Sequence, residues 1–110
     1  MELLKEIAAE LTQAEQARAR GNEGRARVCA RRAAGLAARD YLIHKGIRPS
    51  TSSAMDLLNL LKSDPLLSSD LKLIADHLTV RVTEEFKLPI QVDLIAESRK
   101  FCDELLKQRP

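Results

Sequence analysis

The sequence predicts an all-α protein, an up-and-down four-helix bundle with an additional short helix, and three observations carry that expectation. Apolar residues recur at spacings of three and four along most of the chain, the period of one helix face. The strong helix formers Ala, Leu, Glu, Lys, Arg and Gln are abundant. Aromatic residues make up 3% of the composition, two Phe and one Tyr with no Trp, and β-branched residues are few, which disfavours a sheet. With 110 residues, 45% of them hydrophobic, the chain is sized for one domain spanning 1–110 around one core.

Each helix has its own local argument. From Glu2 to about Arg20, Leu4, Ile7, Ala8, Leu11 and Ala14 form an apolar stripe, with Glu2 and Glu6 near the start and Arg18 and Arg20 near the end, as the helix dipole favours. Gly21 ends this helix and Asn22 offers an N-cap for the next. The second helix runs from about Glu23 to Lys45. Its apolar face is mostly small (Ala26, Cys29, Ala30, Ala33, Leu36, Ala37, Tyr41), so neighbouring helices can approach closely and this helix is expected at the centre. Gly46 stops it, Pro49 follows, and 46–52 reads as a loop.

Ser53-Ala-Met-Asp56 resembles a capping box with Asp in the place of the usual Glu or Gln. It opens a short helix carrying Met55, Leu57, Leu58, Leu60 and Leu61, which Asp64-Pro65 breaks. After Ser68 and Ser69 a fourth helix shows the stripe Leu71, Ile74, Leu78 and Val82. Pro89 is tolerated only near a helix start or at a kink. The last segment carries Leu94, Ile95, Phe101, Cys102, Leu105 and Leu106.

Net charge is only +2, but nine basic residues against Glu23 and Asp40 give +7 over 18–48, leaving −5 for the remainder. Such asymmetry marks an anion- or nucleic-acid-binding face or an acidic partner, or else a solvated helix face. Arg25, Arg32 and Arg39 recur every seven residues and so align along the second helix, with Arg18, Arg27 and Arg31 beside that line. Arg25, Arg32, Arg39 and Arg31 are the candidate residues for binding an anion or a nucleotide, since guanidinium groups meet phosphates bidentately. The same face has a rival use, pairing with the acidic remainder of a second copy in a head-to-side dimer.

No catalytic constellation stands out. Arg39 and His44 would suit a metal-independent ribonuclease, His as general acid or base and Arg stabilising the charge that develops on phosphorus. With 11 Arg and two His in the chain, that spacing arises readily by chance. His77, beside Asp76 and one turn before Arg81, reads as an intrahelical polar pair. Glu84 and Glu85 are adjacent, hence on different faces, and form no acid/base dyad. Two His and two scattered Cys lack HxxxH or CxxC spacing, so neither a metal site nor a cofactor is expected. Gly-rich phosphate loops and base-stacking aromatics are also missing. Cys29 and Cys102 fall on apolar positions and read as buried free thiols. No signal-peptide pattern opens the chain and no apolar run approaches the roughly 20 residues of a membrane span, so a soluble, cytoplasmic protein is expected.

The run Ala26 to Leu61 resembles the helix-loop-helix of HEPN domains. An Ala-rich helix (Ala30-Arg-Arg-Ala-Ala-Gly-Leu-Ala-Ala-Arg-Asp-Tyr-Leu) ends at a Gly-containing loop, and a Leu-rich helix (Asp56-Leu-Leu-Asn-Leu-Leu) follows. The segment Asp93-Leu-Ile-Ala-Glu-Ser-Arg-Lys-Phe-Cys-Asp-Glu-Leu-Leu is similar to that family's last helix. The likeness covers most of the chain and rests on pattern. It implies a four-helix up-and-down bundle, often a homodimer. Some members are ribonucleases of toxin systems, and others are non-catalytic partners or substrate-binding subunits of small nucleotidyltransferases. The catalytic branch resembles Arg, a polar residue, a few more and then His near the start of a late helix. Here the only match, Arg39-Asp40 to His44, ends the second helix, and no His follows Arg81 or Arg99. The resemblance therefore favours a non-catalytic module that binds a nucleotide, RNA or a nucleotidyltransferase partner. Two alternatives stand beside it: a ribonuclease using Arg39 and His44, and a structural adaptor whose arginines are solvated.

Overall fold

The first two helices pair because a three-residue turn leaves them no other course. The computed structural model describes residues 2–80 and 91–108. Its elements are α1 (Glu2–Ala19), α2 (Glu23–His44), α3 (Ala54–Lys62), α4 (Ser69–Thr79) and α5 (Leu94–Gln108), with no strand among the described residues. Gly21 takes the left-handed conformation at φ +79°. The Gly21 N–H then reaches Arg18 O and the Asn22 N–H reaches Ala17 O, at 2.9 and 2.8 Å, a Schellman closure that satisfies the last carbonyls of α1. Asn22 turns at once to cap α2, its Oδ1 accepting from the Arg25 N–H at 3.1 Å. The end of α2 repeats the device at Gly46, φ +83°, where the Ile47 N–H reaches Leu42 O at 2.9 Å.

The expected small face of α2 is buried except at Leu36, which is half-buried, and burial extends beyond it to Ala34, Gly35, Ala38 and Leu42, while Arg39, Ile43 and His44 stay exposed. Helix α2 touches each of the other four helices. The stripe on α1 is corrected by one step: Leu4 and Ala8 are exposed, whereas Ile7, Leu11, Ala14 and Ala17 are buried and Leu3 packs against them. Leu3 lies one turn before Ile7 on the same line, which rotates the buried face away from Leu4 and Ala8. Val82 and Pro89 lie outside the described residues, as do Arg81, Glu84 and Glu85.

The chain returns along α2 and lays the start of α3 directly on Gly35. A Cβ at that glycine would stand 2.7 Å from Ala54 Cβ and 2.9 Å from Ala54 Cα, so the crossing exists only because position 35 lacks a side chain. Ser53 Oγ accepts from the Asp56 N–H at 3.3 Å, as the capping box requires. Asp56 does not reach back to the cap residue. Thr51 fills the gap: its Oγ1 accepts from the Ser53 N–H at 3.0 Å and donates to Asp56 Oδ2 at 3.1 Å. Asp is one methylene shorter than Glu, and the threonine hydroxyl supplies the missing length. Leu57, Leu58 and Leu61 face inward, while Leu60 is exposed.

Helix α4 starts at a second serine cap, Ser68, and buries Leu71, Ile74, Ala75 and Leu78. Helix α5 starts at Asp93, whose Oδ1 accepts from the N–H groups of Ile95 and Ala96 at 3.1 and 3.2 Å. Its buried face is Leu94, Ile95, Ser98, Phe101, Cys102 and Leu105. Two of these bond to the backbone of α2: Ser98 Oγ donates to Ala30 O at 2.7 Å, and the Cys102 thiol to Ala33 O at 3.4 Å. The pairs advance together along both helices, so α5 runs in the same sense as α2. Both cysteines are free and buried, as expected, and burial pushes the Cys102 thiol up to about 12.

A polar cluster closes the far end. Asp64 Oδ2 accepts from Tyr41 Oη at 3.1 Å and from Lys45 Nζ at 2.8 Å, while Oδ1 accepts from the Leu66 N–H at 2.9 Å. The Lys45 ammonium also lies 5.3 Å from the centre of the Tyr41 ring. These bonds, the Lys45 one foremost, hold the Asp64 carboxyl below the usual range.

Gly35→Ala should lower thermal stability by about 1–3 kcal/mol through overpacking, although Ala at an ordinary helix position would raise it by about 1 kcal/mol. A melting curve reads the sign. Because the folded state depresses the Asp64 pKa, its contribution is complete above the unfolded carboxyl value of about 4 and is lost as pH falls through the lower folded one. Asp64→Asn should therefore melt below wild type at pH 7, and the two curves should converge under strong acid.

Candidate functional site

A groove of about 790 Å³ opens between α1, α2 and the start of α3. Its floor is apolar, made by Ala9, Gly35, Leu36 and Leu57. Arg32 and Arg39 rise from α2, Ser52 and Ser53 come from the approach to α3, and Glu6 and Glu10 stand on α1. Geometry explains the grouping: positions three before and four after a helical residue share its face, so Arg32 and Arg39 flank Gly35, where α3 begins.

Both arginines are exposed, and neither guanidinium makes an ion pair or hydrogen bond with a described residue. They stand seven residues apart, about 10 Å along the helix axis. The first N–H of α3, at Ala54, has no acceptor among the described residues, and a helix start carries partial positive charge. One side of the groove is thus electropositive. The opposite wall carries Glu6 and Glu10, and Glu10 Oε2 is enclosed with no hydrogen-bond donor among the described residues.

The other arginines divide by what they touch. Arg25 continues the line of Arg32 and Arg39 and is exposed, but it lies beyond the groove. Arg31 turns away from that line. It is half-buried, and its Nε donates to Leu78 O at 2.8 Å, capping the last turn of α4. Burial lowers its pKa. Position 31 is only one step from 32, and that 100° rotation directs it toward α4 instead. Arg18 pairs with Glu23 at 2.7 Å and Asp93 at 2.8 Å, which raise its pKa in that order and tie the α1–α2 turn to the start of α5.

Arg39 and His44 are not brought together. Five positions on a helix is about 500° of rotation, leaving the two side chains about 140° apart. His44 lies outside the groove, with its Nδ1 2.9 Å from Asp40 O and 3.4 Å from Asp40 Oδ1. His77 pairs across helices, its Nδ1 2.7 Å from Glu97 Oε1 on α5, while Asp76 instead meets Lys62 at 3.2 Å. No group of three or more His, Cys, Asp or Glu is placed to hold a metal among the described residues. No helix among them is long and apolar enough to cross a membrane.

Sequence reasoning missed the acidic wall and the serines. Ser53 was legible as a cap and Glu6 as a dipole partner, but the serines reach Arg32 and Arg39 only as 46–52 folds back, and Glu6 only through the pairing of α1 with α2. Comparison with known proteins adds no relative to this picture: no family model, curated protein or solved structure matches the chain.

Proposed function

We propose that the protein is a non-catalytic, HEPN-like binding module, an up-and-down four-helix bundle with α3 inserted, whose groove takes the phosphate of a nucleotide or of a nucleic-acid strand. One observation carries the reading: two guanidinium groups without an acidic partner among the described residues face one groove together with a helix start. An arginine that stabilises its own fold finds a carboxylate or a carbonyl, as Arg18, Arg99 and Arg31 do. Among the described residues Arg32 and Arg39 have neither, and their fork of donors suits a phosphate from two sides. Arg25, about 21 Å from Arg39 along the helix, extends the same face for a longer strand. The ribonuclease reading lacks this support, because His44 and Arg39 point to different sides of α2. In the HEPN-like reading the module acts as a homodimer and as the partner of a small nucleotidyltransferase.

Labelled RNA and nucleotides, titrated against the full chain at increasing salt, test the proposal. Binding should weaken steeply with salt, by about 0.7 in log K per log salt for each single-strand phosphate engaged. Arg32→Ala/Arg39→Ala should abolish it while leaving the melting temperature within a few degrees of wild type, because neither side chain holds another element. Absence of binding at low salt overturns the anion reading.

A further inference from the structure

The groove holds complementary charges apart within one chain. Glu2 and Glu6 are exposed on α1 and share a face one turn apart, with the half-buried Glu10 a turn further. Arg32 and Arg39 line the groove together with Glu6 and Glu10, yet no ion pair joins the two sets among the described residues. Their heights nevertheless agree. The turn from α1 to α2 centres on Gly21, so residues equally far from it in sequence stand level in the antiparallel pair. Arg32 and Glu10 are each 11 residues away, and Arg39, at 18, falls between Glu6 at 15 and Glu2 at 19. The apolar surface follows the same face. Ala9 is exposed beside the acids, and Ile43, 45% exposed, lies two turns beyond the half-buried Leu36 on one line of α2.

We infer that two copies of the chain meet at this groove, α1 of each lying in the groove of the other, so that its exposed acids face the second copy's arginines. Charge complementarity selects this occupant: the row of carboxylates that the arginines call for is already present on the chain's own α1. A two-fold axis parallel to the helices brings the two together. It preserves height and exchanges the walls, so Glu6 of each copy approaches Arg39 of the other, as an isologous contact requires. Ala9, small and exposed, lets α1 come close to the groove floor. Exposed ion pairs contribute little each, and the apolar surface at Leu36 and Ile43 loses water on closure, so the dimer is weak and depends on concentration. The anion reading above adds a regulation and is the only part that rests on it. Phosphate and the second copy compete for the same arginines, and the homodimer is the closed form of the site.

Sedimentation velocity of the full chain, at low salt and rising concentration, tests the inference. Wild type should move from the 12.3 kDa monomer toward twice that mass, and added chloride should reverse the shift by screening. Glu6→Arg and Arg39→Glu should each weaken the dimer about tenfold or more, because like charges then face each other. An equimolar mixture of the two variants should dimerise again, since each altered side chain meets its opposite on the other copy. Inorganic phosphate should dissociate the wild-type dimer more than chloride of equal ionic strength. A wild type that stays monomeric throughout, or either variant dimerising as tightly as wild type, overturns the inference and leaves the anion site standing. So does a mixture that stays monomeric although circular dichroism shows both variants folded. Calorimetry of phosphate with folded Glu6→Arg, whose groove is open, judges the anion reading separately. Absence of binding there overturns that reading and the competition with it, whereas phosphate that binds Glu6→Arg but leaves the wild-type dimer intact overturns the groove as the interface.

Discussion

The contact between Gly35 and the first residue of α3 governs how the rest of the molecule is arranged. At that crossing the backbones themselves touch, and no L side chain fits between them. Such proximity is possible only on a helix whose inward surface is nearly all alanine and glycine, and α2 supplies it from Ala26 to Ala38. Small residues contribute little apolar area each, so the bulk of the core comes from the partners. Leu58 and Leu61 of α3, Leu71 and Leu78 of α4, and Phe101 and Leu105 of α5 are among the largest fully buried side chains. The division is physical: one thin helix admits four neighbours, and the neighbours bring the volume that excludes water.

The groove is a by-product of the same crossing. Whatever occupies positions three before and four after the contact glycine must emerge beside the start of α3. The chain places arginine at both. Had α3 been held away by a larger residue at 35, these cations would face open solvent on an ordinary charged helix. Position along the helix therefore decides which arginines are candidates. Arg31, one step round, becomes a prop for α4, and Arg25, two turns earlier, lies outside the groove.

Much of the fold could be read from the chain because its signals are local. Gly21, Gly46, Ser53 and the Asp64-Pro65 break each act within a turn of their own position, and each marks a boundary found in the structure. The small face of α2 was legible for the same reason. What escaped is non-local. Glu97 as the partner of His77 lies 20 residues away, and Glu10 joins the arginines only through the α1–α2 pairing. Leu4 and Leu3 are equivalent by composition, and the packing angle of α1 alone selects between them.

An alanine surface has a weakness that its packing density conceals. With every side chain nearly the same, one turn of α2 looks to α5 much like the next, and apolar contact alone gives little resistance to sliding. The same bareness exposes the backbone, and α5 uses it: Ser98 and Cys102, one turn apart, each find a carbonyl on α2, at Ala30 and Ala33. Displaced along the axis, the pair would leave a buried hydroxyl without its acceptor. These two bonds act as a register lock on a smooth track, and they set where α5, together with the His77–Glu97 link to α4, comes to rest.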